Sequence, residues 1–140
     1  MAKTFKLSIV TPERQAVSLD ADSVILPGLL GSFGVLAEHA PMLAALKPGL
    51  VKVEHGNVCD LYACSGGFAE VTGDKLIVLA DSLESSGEID ADRAKKALQR
   101  AEERLTKRPA GTDAERAQKA LDRARARLIV LETQLAAAKK

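Results

Sequence analysis

The chain has 140 residues, a formal net charge of +1, and 46% apolar residues with no Trp. This length predicts one domain of ordinary size, or one small domain with an appendage, around an aliphatic core. The near-neutral charge argues against nucleic acid as a partner, and no apolar run approaches the roughly 20 residues of a membrane span.

The N-terminus indicates where in the cell the protein is expected, and the cysteines indicate which kinds of site are not. Residues 1–6 lack the apolar stretch of a signal peptide, so we expect a cytosolic protein or a peripheral one on the cytosolic side of a membrane. Cys59 and Cys64 are too few for a disulfide scaffold, and without further Cys or His at ligand spacing they predict no metal site. An offset of five along one strand would place them on opposite faces, and we interpret both as buried free thiols.

Short β-strands are predicted in the first part of the chain. Apolar and polar residues alternate from Phe5 to Ile9, from Val17 to Leu19 and from Val51 to Val53. The unbroken apolar run from Leu76 to Ala80 predicts a strand covered on both faces. Turn residues separate these runs at intervals of about 8–12 residues, which is typical of a sandwich or barrel.

Residues 27–49 combine four Gly and three Pro with apolar residues, which predicts tight turns between short strands. Gly28, Gly31 and Gly34 do not form a phosphate-binding loop, because the Gly-Lys-Ser/Thr of a P-loop is missing and no helix follows. We interpret them as turn and bulge residues. His39 has no nucleophile or second acid at a catalytic spacing, so it is interpreted as a structural or contact residue.

Composition and charge both change near Gly87. Residues 1–87 contain nine of the ten glycines and carry six Lys and Arg against ten Asp and Glu, a charge of −4. Residues 88–140 contain thirteen alanines and carry fourteen Lys and Arg against nine Asp and Glu, a charge of +5. We predict two domains with these bounds; a basic tail can lie on its own acidic body or on another acidic surface.

The second domain is predicted to form two helices. Asp90 is the candidate N-cap of the first, which extends to about Lys107 and ends at residues 108–111. Thr112 and Glu115 form a capping box for the second. Apolar stripes at intervals of three and four predict an antiparallel hairpin. Because Ala buries little area, this hairpin should undock easily. Easy undocking is consistent with a switch and equally with a weak appendage. The stripes are Ala94, Ala97, Leu98, Ala101 and Leu105 in the first helix, and Ala117, Ala120, Leu121, Ala124, Leu128, Leu131 and Leu135 in the second.

Several blocks of the sequence resemble the epsilon subunit of F-type ATP synthases. They are Gly28 to Gly49, Ser65 to Val71, Val78 to Asp81, and Ile89 to Ala94, which has the pattern I-D-x-x-R-A. The blocks follow the family's order over almost the whole chain. The resemblance implies a β-sandwich of about ten short strands followed by a C-terminal antiparallel α-helical hairpin. It also implies a non-catalytic subunit of the central stalk of a rotary, proton-translocating enzyme complex.

The resemblance further implies the partners of such a subunit. The sandwich would hold the foot of the gamma subunit and sit on the membrane ring of c subunits, coupling rotation of the ring to ATP synthesis. The helices would extend along gamma toward the catalytic alpha and beta subunits and inhibit ATP hydrolysis. The subunit would meet the membrane only through its complex, on the cytoplasmic face of a bacterial inner membrane. Candidate subunit-contact residues are Gly28, Leu29, Leu30, Gly31, Ser32, His39 and Met42.

This sequence departs from the family pattern at two positions. Ala37 replaces a common Pro, which changes little in the expectation. Ser32 stands where an acidic residue often faces the c ring, so a salt bridge at that position is not expected here.

The arginines of the hairpin have three interpretations. Arg93, Arg100 and Arg104 share a face of the first helix, and Arg123 and Arg127 are i,i+4 on the second. They could form a solvated face relieved by neighbouring acids, or dock onto an acidic helix of the catalytic subunits. The third hypothesis comes from the resemblance, because some bacterial members bind ATP in the folded hairpin. Arginine suits phosphate oxygens, Asp90 could accept from the adenine amine, and the candidate nucleotide-binding residues are Glu84, Asp90, Arg93, Ala94, Arg100, Arg123 and Arg127.

No catalytic residue, required cofactor or metal site is predicted, and ATP is considered only as a regulatory ligand. One alternative from another class is a β-sandwich binding or adaptor module with a helical dimerisation tail. In that case the Ala and Leu stripes would pair between two copies of the chain. A hydrolase built on His39 is a more distant alternative.

Overall fold

The computed structural model describes residues 3–107, 111 and 113–138. Ten short strands are followed by one turn of 3₁₀ helix (Ser86–Glu88) and two helices, which confirms the predicted fold class. The helices are α1 (Ala91–Lys107) and α2 (Ala114–Ala138). The strands are β1 (Phe5–Val10), β2 (Gln15–Ala21), β3 (Ser23–Gly28), β4 (Gly31–Leu36), β5 (Met42–Leu46), β6 (Gly49–His55), β7 (Val58–Cys64), β8 (Gly67–Thr72), β9 (Lys75–Ala80) and β10 (Leu83–Ser85).

The strands form two layers that are joined at one corner. The first layer has the order β4-β3-β6-β7-β10, and the second has the order β5-β8-β9-β1-β2. The pair Gly28 and Leu46 links β3 to β5, and at this point the hydrogen-bonded path passes from one layer to the other. Strands β1 and β9 are parallel, and the other neighbouring strands named here are antiparallel.

The main core lies between the two layers and consists of aliphatic side chains at alternate strand positions. Leu7 and Ile9 of β1 meet Val24 of β3, Val51 of β6 and Val78 of β9 in one buried cluster. The alternation predicted at β1 and β6 is therefore confirmed. A strand presents successive side chains to opposite faces, so each layer has a core face and an outer face.

The two outer faces differ in what covers them. The hairpin packs on β6 and β7, and so covers part of the outer face of the first layer. On the second layer, Leu76 and Val78 of β9 face the core, whereas Leu79 is 54% exposed. The prediction that the run from Leu76 to Ala80 is covered on both faces was wrong, because no element of the described chain packs on the outer face of β9.

Residues 23–36 form a β-hairpin whose two-residue turn is Leu29 and Leu30. Gly28 pairs with Gly31 across the turn, and a Cβ at Gly28 would lie 2.6 Å from the Gly31 carbonyl oxygen. Gly31 has a φ of 138°, a conformation that side chains strongly disfavour. The interpretation as turn residues holds for these two glycines. It was wrong for Gly34, which lies in a regular strand with open space around it.

The two helices form an antiparallel pair within one chain. The Asp90 carboxylate accepts a hydrogen bond from the Arg93 backbone N–H (3.1 Å), which confirms the predicted N-cap of α1. For α2 the N-cap is Asp113, whose carboxylate accepts from the Arg116 N–H (3.1 Å). The predicted cap at Thr112 and the predicted end at residues 108–110 lie outside the described residues, although Gly111 has the expected positive φ of 85°.

The apolar stripes of the helices are confirmed with two changes. Ala94 and Ala101 of α1 and the α2 stripe as far as Leu131 are buried or half-buried, but Leu135 is exposed. Ala126 was not in the predicted stripe and is buried, and neither was Val130, which is fully buried. Val130 packs with a second apolar cluster on the sandwich and its linker, formed by Leu50, Leu61, Ala63 and Ile89.

The cysteines lie on one strand, β7, and both are free thiols. Cys64 is buried as predicted, and its burial raises the pKa of the thiol. Cys59 is exposed, so the interpretation of both cysteines as buried was wrong. The reason is positional: Cys59 lies one residue past the start of the strand, where the first layer is not covered.

Candidate functional site

A cavity of about 470 Å³ lies where the sandwich meets the hairpin. Its wall combines side chains from the end of the strand domain with side chains from both helices. This composition means that the cavity exists only while the hairpin is docked on the sandwich. Its lining residues are Glu84, Glu88, Asp90, Arg93, Ala94, Ala97, Arg100 and Arg127.

Local structure explains how each wall is positioned. Strand β10 pairs with β7 and holds Glu84 opposite Ala63. The following 3₁₀ turn places Glu88, which accepts a hydrogen bond from the Ser85 hydroxyl (2.8 Å). The N-cap Asp90 and residues 93, 94, 97 and 100 of α1 recur at helical intervals of three and four, or one, so one face of the helix lines the cavity.

An ion pair joins the two domains at the edge of this cavity. Arg127 Nε of α2 donates to Glu84 Oε1 of β10 at 2.7 Å, and each side chain is about one-third exposed. Because the pair is partly solvated, its contribution to docking is modest. Its position is more informative, since it fixes a guanidinium at the wall of the cavity.

The cavity holds arginines that lack ion-pair partners. Among the described residues, Arg93 and Arg100 form no ion pair within 4 Å, although three acids share the same wall. Those acids already have partners: Glu84 pairs with Arg127, Glu88 accepts from Ser85, and Asp90 caps α1. The site therefore retains cationic donors for an anionic ligand.

Arg123 lies one turn before Arg127 and lines a second, much smaller cavity. This cavity has a volume of about 10 Å³ and is shared with Glu84, Arg127 and the residues around Ser65 and Ser82. Six of the seven predicted nucleotide-binding residues thus line the larger cavity, and Arg123 lines the adjoining one. Glu88 and Ala97 complete the larger cavity; the helical periodicity of α1 could have identified Ala97, three residues after Ala94.

Tyr62 of β7 packs partly against the main core and lines neither cavity. Burial, together with the negative charges of Asp60 and Glu88, raises the pKa of its phenol. Asp60 is itself paired with His55 at 2.7 Å, and His55 is half-buried. The Tyr62 phenol is thus affected by the charge of Glu88 in the cavity wall without belonging to that wall.

The candidate subunit-contact residues divide between two places. Leu29, Leu30, Gly31 and Ser32 are exposed at the tip of the β3–β4 hairpin, and Leu30 is fully exposed. Gly28 is buried directly beneath that tip. His39 and Met42 lie beyond the opposite end of β4, five residue steps or about 17 Å from the tip. Met42 also packs partly against the main core, and the His39 ring is 2.7 Å from the Ala40 carbonyl oxygen.

A further apolar surface was not identified as a contact site from the sequence. On the outer face of the second layer, Leu43, Phe68 and Leu79 are 72%, 56% and 54% exposed. Phe68 lies directly opposite Leu79 in the pairing of β8 with β9. What marks these residues as one surface is their cross-strand pairing, which the sequence alone does not show.

Family models match both parts of the chain. The β-sandwich domain of the ATP synthase delta/epsilon chain matches residues 4–86, and its long α-helix domain matches residues 88–132. The chain belongs to the ATP synthase delta/epsilon chain family. As a member of this family it is a non-catalytic epsilon subunit of the central stalk of an F-type ATP synthase, as the sequence analysis predicted.

Individual relatives agree with the family assignment. The chain is 48% identical over 108 residues to an ATP synthase epsilon chain of Desulforamulus reducens, covering 77% of this chain and 82% of the relative. It is 44% identical over 108 residues to that of Carboxydothermus hydrogenoformans, covering 77% and 81%. Among solved structures, a chain of the Euglena gracilis mitochondrial ATP synthase (OSCP/F1/c-ring) matches with a TM-score of 0.75 and 25% identity, covering 96% of this chain and 81% of that one.

The described residues contain neither a membrane-spanning helix nor a cluster of metal ligands. Neither helix is both long enough and apolar enough to cross a membrane. Within the same residues, no group of three or more His, Cys, Asp or Glu side chains is arranged to hold a metal ion.

Proposed function

We propose that this epsilon subunit couples rotation of the c ring to the catalytic head and regulates ATP hydrolysis through its hairpin. Residues 1–87 act as the coupling domain and residues 88–140 as the regulatory domain, at the cytoplasmic face of a bacterial inner membrane. The observation that carries the regulatory part is the arginine-lined cavity between the two domains. A ligand in that cavity contacts both domains at once.

The regulation follows from the equilibrium between docked and extended hairpins. A ligand shifts such an equilibrium only by its difference in affinity for the two states. The cavity draws its walls from Glu84 and Glu88 on one side and from α1 and α2 on the other, so undocking takes the walls apart. A nucleotide bound there therefore favours the docked hairpin.

ATP fits the size and chemistry of the cavity. About 470 Å³ lies within the 300–1,000 Å³ range of typical ligand sites. Arg93, Arg100 and Arg127 offer planar guanidinium donors suited to phosphate oxygens. Asp90 lies on the same wall and accepts from the adenine amine in this proposal, while Ala94 and Ala97 leave room for a flat ring. ATP is a regulatory ligand here and takes part in no reaction of this chain.

The extended hairpin inhibits hydrolysis through its basic face. Undocking releases Arg93 and Arg100 from the cavity wall, and Arg104 continues the same face of α1 one turn further. Like charges at these intervals repel mildly in isolation, so an acidic partner stabilises the face. We propose that this partner is an acidic surface of the catalytic alpha and beta subunits.

Two exposed apolar surfaces of the sandwich serve as contacts within the stalk. The outer-face residues Leu43, Phe68 and Leu79 contact the gamma subunit, because this layer is the one that the hairpin leaves open. The tip residues Leu29 and Leu30 contact the c ring. Apolar groups of this size at the surface of a soluble chain are typical of protein interfaces.

The test is ATP hydrolysis by an F-type catalytic head from a close relative, stripped of its own epsilon subunit and titrated with this chain. We expect saturable inhibition that is lost with the 1–87 fragment, while the fragment still binds the head. Binding with no inhibition by the full chain would overturn the inhibitory role of the hairpin. Absence of any binding would overturn the coupling role as well.

The nucleotide proposal has a separate test. Isothermal titration with ATP should show an affinity that falls about tenfold in Arg100→Gln, since a charge-assisted hydrogen bond is lost. Arg125→Gln is the matched control, because Arg125 is exposed on α2 and lines neither cavity. Equal affinities for both variants and the wild type would contradict the proposed site.

The alternative adaptor with a dimerisation tail is tested by solution mass. Its dimer would pair the Ala and Leu stripes between chains, whereas here α1 and α2 pack their stripes on each other within one chain. We expect a monomer in dilute solution, of about 14.8 kDa for the full chain, with or without residues 88–140. A dimer that disappears on removal of residues 88–140 would favour the adaptor.

A further inference from the structure

The outer face of the second layer is apolar at one end and positively charged at the other. At the apolar end, Phe68 of β8 lies opposite Leu79 of β9. Four positions earlier on β9, Lys75 lies beside Lys6 of the parallel strand β1. Side chains two or four positions apart on a strand share a face, so the two lysines and the two apolar residues belong to one surface.

Lys6 and Lys75 lie side by side without an acidic partner. Among the described residues, neither lysine forms an ion pair within 4 Å, although Asp20 lies opposite Lys6 in the pairing of β1 with β2. Glu70, on the same face, accepts a hydrogen bond from the Thr72 hydroxyl instead (3.0 Å). Because like charges on neighbouring strands repel, the lysine pair is mildly unfavourable in the free subunit.

The protection of a sheet edge does not account for this pair. Lysines on edge strands discourage pairing with other chains. However, the second layer has the strand order β5-β8-β9-β1-β2, so both lysines lie on interior strands. Their charges stay solvated only while the outer face is open.

A cavity of about 360 Å³ opens over the lysine pair, and we call it the lysine pocket. Its lining includes Gln15, whose amide donates to the Ser8 hydroxyl oxygen (3.0 Å), so the Ser8 O–H is left as a donor. Ser18 lies directly opposite Ser8 and adds a second hydroxyl. Asp20 also lines the pocket, but the two lysines outweigh its charge. Ammonium and hydroxyl donors in one depression favour a carboxylate ligand.

Contact with another subunit makes this chemistry selective. A partner that covered Lys6 and Lys75 with apolar atoms would strip water from two charges and leave them unpaired, at a high desolvation cost. A partner with a carboxylate at this point would remove both that cost and the repulsion between the lysines.

We propose that the gamma subunit inserts an Asp or Glu side chain into the lysine pocket, and that this contact fixes the direction in which gamma lies across the sandwich. The inference rests on the gamma contact proposed above. The apolar residues supply contact area, and the lysine pair supplies orientation. A gamma subunit turned end to end would place its carboxylate on Phe68 and Leu79 and leave both lysines unpaired.

The first experiment measures binding of the full chain to the isolated gamma subunit of its own complex at low and high ionic strength. In Lys6→Gln/Lys75→Gln the affinity should fall about tenfold at low salt and by less at high salt, because salt screens exposed charges. Lys95→Gln/Lys96→Gln removes the same charge from exposed positions on α1 and should bind like wild type. An equal loss in this control would overturn the proposal, since net charge alone would explain both.

A stability measurement separates a contact role from a structural one. Urea unfolding of the free Lys6→Gln/Lys75→Gln variant should show stability equal to or above that of wild type, because the repulsion between the lysines is gone. A destabilised variant would show that the lysines serve the fold, and would overturn the proposal.

Carbodiimide cross-linking of the assembled complex identifies the partner group. This reagent joins an amine to a carboxylate that touches it and leaves no spacer. Mass spectrometry should find Lys6 or Lys75 joined to an Asp or Glu of gamma. Cross-links from these lysines only to c subunits or to catalytic subunits would overturn gamma as the source of the carboxylate.

Phe68→Ser distinguishes this inference from the gamma contact on which it rests. Lost binding in Phe68→Ser with wild-type affinity in Lys6→Gln/Lys75→Gln overturns the inserted carboxylate and leaves the contact in place. Wild-type affinity in both variants overturns both. A loss in the lysine variant alone supports the lysine pocket and overturns the apolar part of the contact. Circular dichroism confirms that each variant is folded.

Discussion

At the residue scale, one glycine allows two neighbouring strands of the sandwich, β8 and β9, to approach each other closely. Gly67 begins β8 with a φ of 141°, and a Cβ placed there would lie 1.9 Å from the Leu79 carbonyl oxygen. No side chain fits so close to a neighbouring strand. Position 67 therefore requires glycine, both because of its positive φ and because of the nearby Leu79 carbonyl. Neither condition applies at Gly34.

Gly67→Ala should lower the free energy of unfolding by about 3 kcal/mol or more, because β8 must separate from β9 to admit the methyl group. Gly34→Ala is the matched control and should change it by about 1 kcal/mol or less. Urea denaturation of both variants provides the measurement. Similar midpoints for the two would show that the close approach at Gly67 relaxes without cost.

Cys64 makes the stability of the sandwich depend on pH. Its burial raises the thiol pKa above the ordinary value of 9.0, so the folded state favours the neutral form. A group with a raised folded pKa contributes stability below its unfolded pKa and loses it as pH rises further. The free energy of unfolding should therefore fall above about pH 9, and Cys64→Ala should reduce this slope.

The measurement is denaturant unfolding of wild type and variants from pH 8 upward. Cys59→Ala is the control, since Cys59 is exposed on the same strand and should leave the slope as it is. Tyr62, whose pKa is also raised from 10.0, contributes a loss in the same direction at higher pH and is common to all variants. An unchanged slope in Cys64→Ala would contradict the argument.

At the element scale, α2 has two buried faces with different purposes. Ala117, Leu121 and Ala124 belong to the predicted stripe and are buried in the hairpin. Val130 instead enters the second apolar cluster with Leu61 of the sandwich. Periodicity predicted the first face because it spans several turns. Ala126, one turn before Val130, is buried as well, but two residues give too short a periodic signal for the sequence to separate the second face from the first.

Val130→Ala should weaken docking of the hairpin by about 1–2 kcal/mol, because two methyl groups lose their burial and an alanine methyl remains. Amide hydrogen exchange should then become faster in residues 91–138 and stay unchanged in β1 to β9. The neighbouring Ile129→Ala is the control, since Ile129 is 47% exposed. Equal exchange in the two variants would show that Val130 does not anchor the hairpin.

At the scale of the whole molecule, two domains of unequal independence share one chain. The main core contains residues of the strands and none from the hairpin among its described members. The hairpin, rich in alanine, relies on the small cluster around Val130 and on the Arg127–Glu84 ion pair. The sandwich therefore has the larger core, and the hairpin depends on a smaller set of contacts with it.

The 1–87 fragment should accordingly fold without the helices. We expect cooperative unfolding in urea, because the main core is complete in the fragment. The urea concentration at the midpoint should be close to that at which the sandwich unfolds in the full chain. Removal of the hairpin exposes Leu61, which packs with Val130 in the full chain. Leu61→Ser in the fragment should therefore improve its solubility with little loss of stability. A fragment that fails to unfold cooperatively would show that the hairpin stabilises the core.

The sequence predicted the fold more fully than the site. Strand alternation, the Asp90 cap and the alanine stripes each reflect local rules, and the family motifs supplied the strand number and the order of domains. The site depends on distances between segments far apart in the chain, such as Glu84 and Arg127, which lie 43 positions apart. The family pattern suggested those two residues, but not Glu88 and Ala97, which complete the wall of the same cavity.

The open outer face of the second layer also bears on the life of the chain before assembly. In an unassembled subunit Leu43, Phe68 and Leu79 are exposed to water, and Leu30 is fully exposed at the tip of the β3–β4 hairpin. Such surfaces promote self-association until a partner covers them. If the gamma subunit and the c ring cover these surfaces as proposed, unassembled copies are more prone to aggregation than assembled ones. The amount of this subunit that stays in solution should therefore depend on how much of its partners is available.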